Sequence, residues 1–265
     1  MTTNLTLDEY VSKFETKLLQ SLLFRYRHTP KEHIEILLRG NFVKTFDIKE
    51  FLYVYRSNTT YPAERIDSLA DKLIDIKLEM YLIELDLGID NTMTGIIFSE
   101  AETDERTAHI DFMHMAINQS VILKSRILWE RVMNCIYYLE TGNELDETLQ
   151  ERKSGNSPFS KKTKFFDFIN DTDDNSVLKW SFLNDYREYV NWFDDKWRTP
   201  ETHKHSTLRA RFLNETMSSD DVNRILGLLG IVTNAFYVNF MSIIKGDEPG
   251  YRFWTYGMSD DKKLR

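Results

Sequence analysis

Apolar residues recur along this chain with a helical period over several long stretches. Ile66, Leu69, Leu73, Ile76, Met80, Ile83 and Leu87 follow one another at +3, +4, +3, +4, +3, +4. That is the seam of a helix packing on other helices, not the alternation of a strand. Pro62 stands ahead of it, where a missing N–H costs nothing. Gly88 follows as a predicted C′ residue, so 89–103 reads as a loop. A second long helix is predicted over 104–141, ended by Gly142, with Val121, Ser125, Leu128, Val132, Cys135 and Leu139 on one stripe. A third spans about 176–197, where Leu183, Tyr186, Val190, Phe193 and Trp197 repeat at +3, +4, +3, +4. The fourth covers about 219–245, opened by the cap-and-acid run Ser218-Ser219-Asp220-Asp221 and closed by Gly246.

Shorter helical stretches precede these, at about 7–26, 30–39 and 47–55. The connection at 142–175 has room for one short helix near 162–169. Four long helices with connections suited to antiparallel neighbours predict an all-α protein built on an up-and-down four-helix bundle. The bundle is expected over 61–250, with an N-terminal helical appendage (1–60) and a C-terminal tail (251–265).

Composition narrows the class further. Only 10 Gly and 5 Pro occur in 265 residues, which argues against turn-rich sandwiches, propellers and Gly-loop nucleotide folds. The 17 Phe, 13 Tyr and 5 Trp supply a large core and exclude wholesale disorder. A net charge of −8 means that any nucleic-acid site must be a local basic patch on an acidic body. The single cysteine, Cys135, excludes an internal disulfide and fits a reducing cytoplasm. The alternation of charged and apolar residues over 6–17 is not that of a secretory signal. Residues 225–244 carry no charge and are long enough to cross a bilayer. With Thr233, Asn234, Asn239, Ser242 and two glycines among them, they read as a helix buried by other helices, and no membrane association is expected.

The most unusual segment is 196–211, Lys-Trp-Arg-Thr-Pro-Glu-Thr-His-Lys-His-Ser-Thr-Leu-Arg-Ala-Arg. It gathers Lys196, Arg198, Lys204, Arg209 and Arg211 with two histidines and one acid, Glu201. Thr199 has the chemistry of an N-cap and Pro200 that of the first helical position. A helix starting there would make Arg198 the N′ residue and His203 the N4 residue, which meet across a helix start. Free N–H groups and Arg198 would bind a phosphate. His203, kept neutral beside that positive end, would accept a proton from a ribose 2′-OH. A solvated surface helix start is the alternative reading of the same residues.

Arg198-Thr-Pro-Glu-Thr-His203 resembles the Arg-x(4–6)-His signature of the HEPN superfamily, the higher eukaryotes and prokaryotes nucleotide-binding domains. The position is similar too, near the junction of the third and fourth helices of a four-helix bundle. The resemblance implies a metal-independent endoribonuclease, or an RNA- or nucleotide-binding relative, of a toxin or defence system. It implies Arg198 as the phosphate-binding residue and His203 as the catalytic histidine, in a site formed where two protomers pair. Thr199, Lys204, His205 and Arg209 of the same segment are the expected substrate contacts. The implied partners are a second copy of the chain, RNA, and a cognate antitoxin or other partner protein. No cofactor or metal is expected. A non-catalytic helical interaction module, docking a partner through the basic patch, is the competing function.

Other groups have plainer readings. His109, Asp111 and His114 read as a helix-start cap with partly buried imidazoles, and Glu32, His33 and Glu35 as a polar helix start. Arg126 and Glu130, with Arg131 beside them, read as an i, i+4 pair on an exposed helix edge, or as part of a dimer interface. Arg152, Lys153, Lys161, Lys162 and Lys164 read as a solvated loop, with an RNA contact as the alternative. Asn234 and Asn239 need hydrogen-bond partners if buried, and Cys135 reads as an inert core thiol.

Overall fold

The computed structural model describes residues 5–25, 46–58, 60–98, 104–145, 161–171, 177–200, 209–210 and 236–248. Among them all regular structure is helical and no strand occurs, as the apolar period predicts. In chain order these are α1 (Leu7–Arg25), α2 (Ile48–Ser57), α3 (Ile66–Phe98), α4 (Asp104–Thr141) and α5 (Lys161–Ile169). A 3₁₀ segment (Leu178–Tyr186) then runs into α6 (Arg187–Phe193) and a π segment (Asp194–Arg198), and α7 is Tyr237–Lys245. The helix expected at 30–39, the start of the fourth long helix and the tail at 251–265 lie outside the described residues.

Local chemistry sets most of the helix ends. At α1, Thr6 Oγ1 accepts from the Glu9 N–H while Glu9 Oε2 accepts from the Thr6 N–H at 2.8 Å, a reciprocal capping box. Asp47 caps α2 by accepting from the N–H groups of Lys49 and Glu50. Helix α4 begins and ends where its sequence predicts, and Gly142 closes it at φ +75° with its N–H on the Tyr138 carbonyl. The Arg65 guanidinium lies over Gly142 and donates to the Leu139 carbonyl at 2.6 Å, placing a cation at the negative end of α4. Gly246 closes α7 at φ +85°, with Gly246 N–H on Ile243 and Asp247 N–H on Ser242. That pair of bonds is a Schellman motif, which glycine makes without strain.

Two expectations are corrected. Gly88 does not end α3, which continues to Phe98. Only Gly142 and Gly246 take a positive φ among the described residues. A glycine kept in α geometry costs about 1 kcal/mol, less than breaking a cooperative helix whose next ten residues contain no proline. The third long helix is not one α-helix but three helical geometries in succession. Val177, Trp180 and Leu183, all buried, are spaced +3, +3, and successive steps of three stay eclipsed in the 3₁₀ geometry while they drift around an α-helix.

Helices α3 and α4 pack antiparallel, tied by Lys124–Asp86 at 2.6 Å and Arg131–Glu79 at 3.5 Å. The α3 seam, Leu69, Leu73, Ile76, Met80 and Ile83, is buried against Val121, Leu128, Val132 and Cys135 of α4 in one core. Phe51, Leu52 and Tyr55 of α2 belong to that same core, so this part of the N-terminal sixty residues is built into the body. Phe51, Phe240 and Trp180 join α2, α7 and the 3₁₀ segment through ring centroids about 6 Å apart. Each of these fully buried rings contributes about 1.5–3 kcal/mol of apolar transfer energy. Among the described residues no helix is long and apolar enough to cross a membrane. Of the charge-free run, Tyr237, Asn239, Phe240, Met241, Ile243 and Ile244 are buried in α7, while 225–235 lie outside the described residues.

Burial also decides the chemistry of Cys135. Its thiol is fully buried and its pKa is pushed up to about 12 by loss of solvation, so the reactive thiolate is suppressed. Ellman's reagent at pH 8 is expected to leave the native chain unmodified over an hour and to titrate one thiol at once in guanidinium. Fast labelling of the folded protein would refute this burial.

Candidate functional site

The segment carrying the candidate motif is helical before Arg198 and helical through it. Thr199 has φ −66° and ψ −43°, and its N–H donates to the carbonyl of Asp194, five residues back. An N-cap needs extended backbone at that position. The expected helix start at Thr199 is therefore corrected: the helix passes through as a π turn and continues at Thr199 and Pro200. Pro200 is one physical reason. In α geometry its ring would meet the Lys196 carbonyl four residues back, and it has no N–H to offer that oxygen. A π turn widens the helix just before the ring.

That correction removes the helix-start argument for placing Arg198 beside His203, together with the free N–H groups expected there. Arg198, Thr199 and Pro200 are half-buried and Arg209 is exposed. His203, Lys204 and His205 lie outside the described residues.

Beneath the π segment lies a charge network that sequence reasoning placed on the surface. Asp194, which opens the segment, is 6 % exposed. Its Oδ1 is 2.9 Å from Arg126 Nε of α4, and its Oδ2 accepts from Lys162 Nζ of α5 at 2.8 Å. Arg126, itself 7 % exposed, also reaches Glu130 at 3.4 Å, and Glu130 is 3.6 Å from Lys161 Nζ. The Arg126–Glu130 pair is thus no exposed helix edge. It is the buried end of a cluster joining α4, α5 and the π segment. The Arg126–Asp194 contact lies off the hydrogen-bonding line, and Arg126 Nη1 finds no partner among the described residues. Asp194 is held here chiefly by charge. The basic run is corrected likewise: Lys161, Lys162 and Lys164 sit on α5, Lys164 over the Tyr137 ring at 5.2 Å. Arg152 and Lys153 lie outside the described residues.

No family model, curated protein or solved structure matches this chain. What the site can do therefore rests on its own chemistry.

A second constellation, also missed from sequence, surrounds Glu140 near the end of α4. Its side chain is 6 % exposed. The Oε1 atom accepts from Trp180 Nε1 at 2.9 Å and from the Tyr61 hydroxyl at 3.2 Å, and pairs with Lys179 Nζ at 3.0 Å. Lys179 in turn donates to the Tyr61 oxygen at 2.7 Å and lies over its ring. Burial and the adjacent carboxylate push the Tyr61 hydroxyl far above the usual phenol range, so it remains a donor. With the indole, the phenol and the ammonium all turned onto one carboxylate, this cluster ties the 3₁₀ segment to α4 as a structural staple. A pair of acidic and basic residues 39 positions apart leaves no periodic signal in the sequence.

Further candidates carry less. The side chains of His109, Asp111 and His114, and residues Glu32, His33, Glu35 and Asn234, lie outside the described ones. Among the described residues no three His, Cys, Asp or Glu side chains converge as metal ligands.

Proposed function

We propose that this protein is a metal-independent endoribonuclease of HEPN type, its up-and-down bundle over 61–250 pairing with a second copy of the chain. Arg198 holds the scissile phosphate, and His203 takes the proton of the ribose 2′-OH. The 2′-oxygen then forms its bond to phosphorus as the bond to the 5′-oxygen breaks. The 5′-oxygen leaves with a proton from the second histidine of the paired site. Thr199, Lys204, His205 and Arg209 contact the RNA backbone. The observation that supports this reading is the π turn ending at Arg198. Single π turns inside helices are costly and concentrate at functional sites, and this one stands at the first residue of the Arg-x(4)-His motif.

The test is incubation of purified protein with single-stranded RNA in EDTA. Cleavage is expected, leaving 2′,3′-cyclic phosphate and 5′-hydroxyl ends, and is expected to fail for His203→Ala. An intact RNA pool, or equal cutting by His203→Ala, would overturn the catalytic reading. Those outcomes would favour the second reading, a non-catalytic helical interaction module. An antitoxin or other partner protein belongs to either reading and is sought by co-purification.

A further inference from the structure

We infer that Asp194 is the positioning residue of this site, setting the helical register in which Arg198 is presented; the functional half of this inference rests on the ribonuclease reading. Asp194 acts at both ends of its own residue. Its carboxylate is clamped between Arg126 of α4 and Lys162 of α5, at 2.9 and 2.8 Å. Its backbone carbonyl accepts the Thr199 N–H that closes the π turn. The side chain thus anchors the first residue of the turn to two other helices, and the main chain hands that anchor to the residue after Arg198.

Register matters here because one residue of an α-helix is about 100° of rotation. A π turn accommodates one residue more than the α geometry it replaces. If Asp194 loosened and the turn relaxed to α geometry, Arg198, Thr199 and Pro200 would swing about the axis by roughly that angle relative to α6. Trp197, 1 % exposed within the same turn, would leave its pocket. Pro200 disfavours that relaxation through its ring, and the buried charge around Asp194 adds the anchor that fixes where the turn sits. Removing the carboxylate leaves the Arg126 and Lys162 cations facing one another without their shared anion, which favours any movement that separates them.

The variant is Asp194→Asn, which keeps shape and removes charge. Two readouts are taken on the full chain. In protein labelled with 5-fluorotryptophan, the Trp197 ¹⁹F resonance is expected to shift. The Trp180 resonance, held at Glu140, is expected to stay in place. In RNA cleavage, kcat is expected to fall by roughly tenfold or more with KM little changed, as misplacement of a reacting group does. Because loss of a buried anion endangers folding, Lys162→Met provides a second variant at a more accessible position, with the same shifts expected at smaller amplitude. An unmoved Trp197 resonance in folded Asp194→Asn would overturn the inference. So would an unchanged kcat in a wild-type enzyme that cuts. If Asp194→Asn does not fold, an unmoved Trp197 in Lys162→Met overturns it and a shifted one supports it. Should the wild-type protein leave RNA intact, the ribonuclease reading falls by itself, and the fluorine spectra still decide whether Asp194 sets the turn.

Discussion

Arg198→Ala is expected to lower RNA cleavage by about 10²–10³-fold, the usual loss when a charged donor to the reacting phosphate is removed. Arg198→Lys separates charge from geometry. Lysine keeps the positive charge but not the planar fork that grips two phosphate oxygens. It is expected to recover RNA binding while regaining only part of the cleavage rate. The checks are single-turnover cleavage and a filter-binding titration on the same preparations, with circular dichroism to show that the helices persist. Arg198 is half-buried at the end of the π turn, so a local loss of packing must be distinguished from a loss of chemistry. Lysine makes that distinction, because its aliphatic stem fills much of the same space. If Arg198→Ala cuts as fast as the wild type, the phosphate-binding role is wrong.

The largest effect on stability is expected at Glu140. Glu140→Ala would remove the one carboxylate shared by Trp180, Tyr61 and Lys179. An indole N–H and a cation would be left behind without their acceptor. Breaking a buried pair from one side costs about 3–5 kcal/mol, a large share of the 5–15 kcal/mol that typically holds a protein folded. At about 2–4 °C per kcal/mol for a chain of this size class, a fall in Tm of roughly 10 °C follows. Glu140→Gln retains an oxygen for the indole and the phenol and forfeits only the ion pair, so about 1–2 kcal/mol is expected. Thermal or urea unfolding of the two variants measures the difference. Equal stability of Glu140→Ala and the wild type would mean that the cluster contributes nothing.

Much of the fold was legible because it depends on contacts along the chain. The bounds of α4, the short helix α5 and the glycine stops at 142 and 246 all follow from neighbours within a few residues. Gly88 shows where that logic ends. A glycine followed within a few residues by Asp90, Asn91 and Thr92 looks the same whether the chain takes a positive φ there or stays helical, and the cooperativity of α3 favours the second.

The candidate site was legible by composition and not by geometry. The basic cluster and the Arg198-x(4)-His203 spacing stand out in the sequence. The same Thr-Pro pair that signals a helix start instead sits inside a helix, because a π turn makes room for the ring. The charges that surround that turn were misplaced for a similar reason. Arg126 and Glu130 at i, i+4 look like any surface pair until α5 and the π segment cover them.

By itself, then, the sequence determined an all-α chain, its long apolar seams and most of the helix ends. Period, caps and stops act through backbone hydrogen bonds within a turn or two. Only the tertiary structure decided which charges are buried together, and where the third helical stretch changes from 3₁₀ to α to π. Those outcomes depend on residues tens of positions apart: Asp194 with Arg126 and Lys162, Glu140 with Tyr61, Lys179 and Trp180. The free energy of a charge or a ring is set by what covers it, and that cover is supplied by other helices.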